Sequence, residues 1–124
     1  MTSPRYQSNG VHLIADLDGI EPARLANPEL LETLLRGAAD AAGATILFSH
    51  VHHFGAGSGV TGVVLLAESH ISIHTWPEFG FAAADIFLCG AGEPERALDW
   101  IESGLGATQR RVQRIERGGV GIYR

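Results

Sequence analysis

Lysine is absent from this sequence of 124 residues. Enzymes that use pyridoxal phosphate hold that cofactor as a Schiff base on a lysine side chain. The missing lysine therefore excludes pyridoxal phosphate as a source of amine chemistry in this chain.

Cysteine and long apolar runs are also scarce. Cys89 is the single cysteine, so no disulfide can form within the chain and stability must come from packing. The longest apolar stretches have the length of strands, and no charged segment precedes an apolar run at the N-terminus. These features predict neither export nor a membrane span, and we expect a cytoplasmic protein.

The charge of the chain is modest and unevenly distributed, with a formal net charge of −5. Five of the nine basic residues fall in the last fifteen positions, namely Arg110, Arg111, Arg114, Arg117 and Arg124. Such a strand could contact nucleic acid, but a solvated strand at the edge of a sheet is the commoner arrangement. We therefore predict no nucleic-acid partner.

Hydrophobic periodicity predicts a single domain, residues 1–124, with the element order β-α-β-β-β-α-β. The predicted strands are "GVHLIADLDG", "ATILFSHVHHF", "VTGVVLLAESHISIHTW", "FGFAAADIFLCG" and "QRRVQRIERG". The predicted helices are "NPELLETLLRGAADAAG", which has a capping Asn27 before Pro28, and "EPERALDWIESGLG". The third strand is long, so a break near Glu68-Ser69 is an alternative. The expected fold is an α/β two-layer sandwich, with a mostly antiparallel sheet and helices on one face.

The segment "ESHISIHTWPEFG", residues 68–80, concentrates reactive side chains in an otherwise apolar chain. In an extended strand His70, Ser72 and His74 share one face, while Ser69 lies on the other. Each buried polar group left unpaired would cost about 1–3 kcal/mol, which disfavours a purely structural role for the whole segment. For a single histidine elsewhere, such as His12, a hydrogen-bonded structural role is the simpler interpretation.

Two other chemistries use side chains of these types. A zinc or iron cluster would use His50, His52, His53, His70 and His74. Their carboxylate partners are scattered and no helical His-Glu-x-x-His motif is present, so we predict no metal. A hydrolase would use Ser69 or Cys89 as nucleophile, but neither lies in a Gly-x-Ser-x-Gly turn.

The stretch "GVTGVVLLAESHISIHTWPEFGFAAADIFLCG" resembles the central signature of the bacterial S-adenosylmethionine decarboxylases, and "VHLIADLDG" resembles their N-terminal strand. The resemblance implies a proenzyme that cleaves itself between Glu68 and Ser69. The products would be a β chain, residues 1–68, and an α chain, residues 69–124. Ser69 would become a pyruvoyl group, an electrophile that needs neither lysine, metal nor external cofactor.

The resemblance also assigns roles in processing and catalysis. Ser69 would attack the carbonyl of Glu68 to form an ester, and His74 would act as the base in this processing. Thr61 stands where the family usually has the serine that partners this histidine. Cys89 matches the residue that donates a proton to the substrate carbon after carbon dioxide leaves.

Substrate contacts follow from the same resemblance. Glu78 matches the acid that binds the ribose hydroxyls, and Phe54 matches the aromatic residue that stacks on adenine and favours the sulfonium by cation–π attraction. Leu66 and Glu68 are expected to contact the adenine through backbone groups. The implied reaction is decarboxylation of S-adenosylmethionine for polyamine (spermidine) biosynthesis.

Two departures from the family pattern keep an alternative open. Asp18 stands where the family usually has an aromatic residue, and the loop Phe54–Gly59 differs from the usual proline-containing loop. An acid near the pocket would suit a basic side chain, so the alternative is a pyruvoyl-dependent ornithine or arginine decarboxylase. A lower alternative is a binding or regulatory homologue that does not cleave itself.

The resemblance implies a homodimer of processed heterodimers that acts on a small molecule. A sheet covered by helices on one face is consistent with this expectation, because its second face needs a cover. We expect the sites to lie at or near the interface between the two subunits.

Overall fold

A six-stranded sheet organises the structure, a computed structural model that describes residues 9–119. Its strands are β1 (Gly10–Asp18), β2 (Ile46–His53), β3 (Val60–Leu66), β4 (Ser69–Trp76), β5 (Phe81–Cys89) and β6 (Gln109–Arg117). They lie in the order β2-β3-β4-β5-β1-β6, and every neighbouring pair is antiparallel. The predicted antiparallel sheet is confirmed.

Three α-helices accompany the sheet: α1 (Pro22–Leu25), α2 (Pro28–Ala41) and α3 (Pro94–Leu105). Helix α2 begins as predicted, because the Asn27 side chain accepts a hydrogen bond of 3.1 Å from the backbone N–H of Leu30. Helix α3 ends at Gly106, whose left-handed φ of 70° suits glycine. No helix within residues 9–119 combines the length and the apolar character needed to cross a membrane.

The hydrophobic core lies between the helices and one face of the sheet. Alternate residues of β1, β4 and β5 face the helices, so Leu13, Ile71 and Ile86 are almost completely buried. Helices α2 and α3 approach each other closely at Gly104, where an added Cβ would lie 2.1 Å from the Leu34 side chain. The prediction that both long helices cover one face is therefore confirmed.

The other side of the sheet, which we call the open face, has no helix over it in residues 9–119. Several of its large apolar side chains are at least about one-third exposed, among them Ile14, Phe48, Leu65, Trp76 and Ile115. The strand registers also place five of the six histidines on this face: His12, His50, His52, His70 and His74. The open face thus carries both apolar and titratable groups.

The long third strand of the prediction is in fact a hairpin. Strands β3 and β4 pair with each other from Leu66 opposite Ser69 to Thr61 opposite His74. Ala67 and Glu68 form the connection, so the predicted alternative break is correct and the sheet has six strands rather than five. The pattern hid this turn because neither residue is a usual turn former.

The arginine-rich strand β6 lies at the edge of the sheet, as predicted. Three of its four arginines pair with acids: Arg111 with Asp16 at 2.6 Å, Arg114 with Glu95, and Arg110 with Glu102 at 3.0 Å. The described part of this strand is therefore largely charge-neutralised. Arg124 lies outside the described residues.

Candidate active site

The start of β4 holds the predicted nucleophile, Ser69. Its side chain alternates with buried Ile71 and so points to the helix side of the sheet. The backbone N–H of Cys89, the last residue of β5, donates a hydrogen bond of 3.0 Å to Ser69 Oγ. A small cavity of about 130 Å³ adjoins both residues. The structure therefore brings Ser69 and Cys89 together, as the predicted chemistry requires.

The turn that precedes Ser69 contains the predicted cleavage point. Glu68 is exposed and has a positive φ of 57°, whereas Leu66 is buried opposite Ser69. The backbone N–H of Ala67 donates to the carbonyl of Thr45 at 3.1 Å. Both Leu66 and Glu68 thus lie beside Ser69, where the resemblance expects them.

Thr61 and His74 form a second pair at the opposite end of the same hairpin. They face each other across β3 and β4, and Thr61 Oγ1 lies 3.0 Å from His74 Nδ1. If His74 carries no proton on Nδ1, this nitrogen accepts a hydrogen bond from the Thr61 hydroxyl. The Thr61 hydroxyl therefore lies beside the His74 ring, where the resemblance expects a hydroxyl group.

Phe54 and Glu78 border the same end of the sheet as His74. They line a cleft of about 360 Å³ together with Thr61, His74, Trp76 and others. The Phe54 ring is 62% exposed, and the edge of the His52 ring contacts it at a centroid distance of 4.6 Å. The ring of His53 lies 3.2 Å from the carbonyl of Ser58, which ties down the loop that follows Phe54.

These two groups of residues do not meet within one chain. Ser69 and His74 are five residues apart on β4, which corresponds to about 16 Å at the usual rise of a strand. Their side chains also point to opposite sides of the sheet. We refer to the Ser69 end, with Glu68 and Cys89, and to the His74 end, with Thr61 and the cleft.

A sequence model described as S-adenosylmethionine decarboxylase matches residues 11–118, a range that contains both ends. The chain belongs to the S-adenosylmethionine decarboxylase family. The resemblance identified from the signature segment is thereby confirmed.

Individual members of the S-adenosylmethionine decarboxylase family are similar to this chain over most of its length. An S-adenosylmethionine decarboxylase proenzyme of Persephonella marina is 43% identical over 116 residues, covering 93% of this chain and 86% of that protein. A proenzyme of the same name from Methanococcus maripaludis is 44% identical over 110 residues, covering 88% and 89%. The crystal structure of the adenosylmethionine decarboxylase from Aquifex aeolicus superposes with a TM-score of 0.83 at 41% identity, covering 94% of this chain and 97% of that one.

The other polar side chains of the family signature include one with a structural role. Thr75 is buried, and its Oγ1 donates to the carbonyl of Leu25 at 2.7 Å and accepts from the N–H of Val60 at 2.9 Å. This threonine joins α1 to both strands of the hairpin. Within residues 9–119 no group of three or more His, Cys, Asp or Glu side chains is arranged to hold a metal ion.

A polar cluster near the Ser69 end was not foreseen from the sequence. His12 Nε2 lies 3.3 Å from Asp85 Oδ1, and the His12 ring meets the ring of His70 at a centroid distance of 6.2 Å. Burial lowers the pKa of His70, and the nearby charges of His12 and Arg117 lower it further, against the opposing effect of Asp85. Alternation places these residues on one face, but only the register of three strands brings them together.

Proposed function

We propose that this protein is a self-processing, pyruvoyl-dependent decarboxylase of S-adenosylmethionine. The observation that carries the proposal is the serine at the start of β4, hydrogen-bonded by the N–H of Cys89, in a chain matched by the family over residues 11–118. The product is decarboxylated S-adenosylmethionine, the aminopropyl donor of polyamine synthesis. Soluble cytoplasmic action on a small molecule is part of the proposal.

Self-processing begins at Ser69. Its Oγ attacks the carbonyl carbon of Glu68, the C–N bond between the two residues breaks, and the amine of residue 69 takes up the proton. Loss of the Cα proton of residue 69 then expels the Glu68 carboxylate and leaves dehydroalanine. Water converts this to a pyruvoyl group with release of ammonia.

The Ser69 end fits this self-made prosthetic group. The adjoining cavity is lined largely by glycine and alanine residues and lies next to Cys89, so a ketone at position 69 has room and a neighbouring proton donor. When formed, the group supplies a carbonyl that condenses with the substrate amine and accepts electrons as carbon dioxide leaves. Cys89 holds the proton that is returned to the substrate carbon.

The His74 end supplies substrate binding. The exposed Phe54 ring can stack on adenine and attract the sulfonium, and the carboxylate of Glu78 can accept hydrogen bonds from both ribose hydroxyls. His52 supports the Phe54 ring from the side. Leu66 and Glu68 contact the adenine from the Ser69 end through their backbone groups.

The complete site is shared by two chains. Because Ser69 and His74 lie about 16 Å apart in one chain, His74 can serve as base only for the Ser69 of a partner. A two-fold axis across the strands, between two open faces, brings the Ser69 end of one chain beside the His74 end of the other. Because Ser69 is the first residue of β4 and its hydroxyl points to the helix side, the histidine of the partner approaches it around the start of the strand. The same contact covers the exposed apolar side chains of the open face.

The alternative substrates, ornithine and arginine, lack support. Asp18, which suggested them, is exposed at the end of β1 and is not among the residues that line the cleft of Phe54 and Glu78. The relatives described above carry the name of S-adenosylmethionine decarboxylase proenzymes.

The test combines mass and activity. Intact-mass spectra of the native protein and of Ser69→Ala are recorded, and carbon dioxide release is followed with S-adenosylmethionine, ornithine and arginine. We expect two fragments that meet at Glu68/Ser69, the second lighter than its sequence by one ammonia, and release from S-adenosylmethionine alone. An uncleaved native chain, or release from the amino acids only, would contradict the proposal.

A further inference from the structure

Glu68 has an unusual backbone conformation. Among residues 9–119 it is the one residue other than glycine with a positive φ, at 57°. Side chains with a Cβ disfavour this left-handed region, and turns that need it normally use glycine, asparagine or aspartate. The conformation is found at the residue whose carbonyl Ser69 attacks in the proposed processing.

The surroundings of Glu68 hold this conformation from both sides. Before it, the N–H of Ala67 is bonded to the carbonyl of Thr45 at 3.1 Å. After it, Ser69 is fixed by its pairing with Leu66 and by the hydrogen bond from Cys89. The connection has only two residues, so no other residue can change its dihedral angles to complete the turn. The fixed neighbours therefore force the unfavourable φ on Glu68.

If this were a simple turn, the side chain of Glu68 would not explain why glutamate, rather than glycine, occupies the position. It is exposed, and glycine would adopt the same φ without the steric cost of a Cβ. The molecule therefore carries an avoidable backbone cost at the bond that is cut.

We infer that the left-handed conformation of Glu68 is a positioning device that promotes self-cleavage. The inference rests on the proposed function, because it concerns the attack of Ser69 Oγ on the Glu68 carbonyl. The held turn fixes this carbonyl beside the hydroxyl. In the acyl shift the C–N bond is replaced by an ester bond between the Glu68 carbonyl carbon and Ser69 Oγ, and the hydroxyl proton passes to the amine of residue 69. The peptide link that holds the φ of Glu68 is then opened, and the later elimination releases Glu68 as a chain end whose φ is free to relax. The relaxation favours cleavage over reversal.

The test is a matched pair, Glu68→Gly and Glu68→Ala. Both variants remove the carboxylate, and they differ only in the Cβ that makes a positive φ costly. Cleavage of each full-length chain is followed by gel and mass spectrometry after cell-free synthesis. Thermal unfolding is measured for the same two changes in the Ser69→Ala protein, which stays uncleaved.

We expect Glu68→Gly to be cleaved up to about five-fold more slowly than Glu68→Ala, a factor that corresponds to about 1 kcal/mol. In the uncleaved background the glycine variant should unfold a few degrees higher, roughly 2–6 °C. The two shifts in opposite directions identify a backbone cost that is relieved by cleavage.

Equal cleavage rates, or faster cleavage of the glycine variant, would overturn the inference and leave the turn with a structural role only. Equal unfolding temperatures would overturn it too, because the positive φ would then carry no cost. A native chain that remains intact at Glu68/Ser69 would instead overturn the proposed function. The two failures are therefore distinguishable.

Discussion

The two ends of strand β4 are built in different ways. The Ser69 end depends on the backbone: a strained turn, an N–H from Cys89 and a small cavity hold one hydroxyl. The His74 end depends on side chains, and its Phe54 ring and Glu78 carboxylate are exposed. The first end is held by backbone groups of one chain, whereas the second exposes side chains that the proposed function assigns to the site of a partner.

The comparison indicates how a small protein can separate two tasks. Preparing the nucleophile needs fixed backbone groups, which a sheet supplies at the end of a strand. In the proposed function, binding of the nucleoside uses the projecting aromatic and acidic side chains of a loop and of a short 3-10 helix at Pro77–Phe79. A second copy of the chain is then the simplest way to unite them.

The strongest test of this separation uses two inactive variants together. Ser69→Ala and His74→Ala are each expected to remain uncleaved and inactive when produced alone. Co-produced, they should form mixed dimers in which the intact Ser69 of one chain meets the intact His74 of the other. Each mixed dimer has one intact site and one doubly altered site, so purified mixed dimers should recover about half of the native sites. Cleavage and decarboxylation of the mixture are measured after purification through tags on both chains.

If the mixture recovers neither cleavage nor decarboxylation, although light scattering demonstrates dimers, the whole site lies in one chain. A stable monomer with full activity would contradict the shared site directly.

A second change separates the backbone of Cys89 from its thiol. Cys89→Ser keeps the N–H that holds Ser69 Oγ, so self-cleavage should continue. Decarboxylation should fall by about 10²–10⁴-fold, because the proton donor is altered. Fragment masses and the rate of carbon dioxide release are measured on one sample. Loss of cleavage with the thiol would show that the side chain, rather than the backbone, prepares the nucleophile.

The His74 end is tested through Phe54. Phe54→Ala should raise KM for S-adenosylmethionine by about ten-fold or more, since an aromatic stack on a base contributes about 1–3 kcal/mol. Phe54→Tyr retains the ring and serves as the control. His52→Ala, which removes only the lateral contact with that ring, should raise KM less. An unchanged KM in Phe54→Ala would remove adenine stacking from the proposal.

The smallest expected effect concerns His70. Its pKa is lowered from 6.5 by burial and then by His12, so the folded chain binds fewer protons than the unfolded chain just below that pH. Stability should therefore fall as the pH drops through about 6.5. Unfolding temperatures of the uncleaved Ser69→Ala protein are measured between about pH 8 and pH 5, and adding His70→Asn should flatten the decline. If the unfolding temperature depends on pH in the same way with and without His70→Asn, the decline does not come from His70.

Much of the fold followed from local signals in the sequence. Asn27 with Pro28 marked the start of α2, and the glycines around position 106 marked the end of α3. The hairpin was given only as an alternative, because Ala67 and Glu68 carry no turn preference and their neighbours form one long apolar pattern. The short helix α1 and the 3-10 helix were missed, since each is too short to show a period.

The sequence names the candidate site residues but does not give their arrangement. The signature string suggested the residues, and alternation correctly placed Ser69 and His74 on opposite faces. Their separation along β4 is the reason why the proposed function assigns them to different copies of the chain, and it depends on the bounds of the strand as well as on the motif. The contact between His12 and Asp85 was equally hidden, because they are 73 positions apart in the sequence.

The strand order has a consequence for the cleaved molecule. A cut after Glu68 assigns β1, β2 and β3 to one fragment and β4, β5 and β6 to the other, and β1 lies between β5 and β6. The fragments are therefore interleaved, and they can part only if the sheet is dismantled at three places. Once denatured, they can regain the fold only by finding each other, so recovery should depend on protein concentration. If the proposed cleavage occurs, the precursor folds as one chain, whereas the mature protein, once unfolded, can reassemble only as a complex of two fragments.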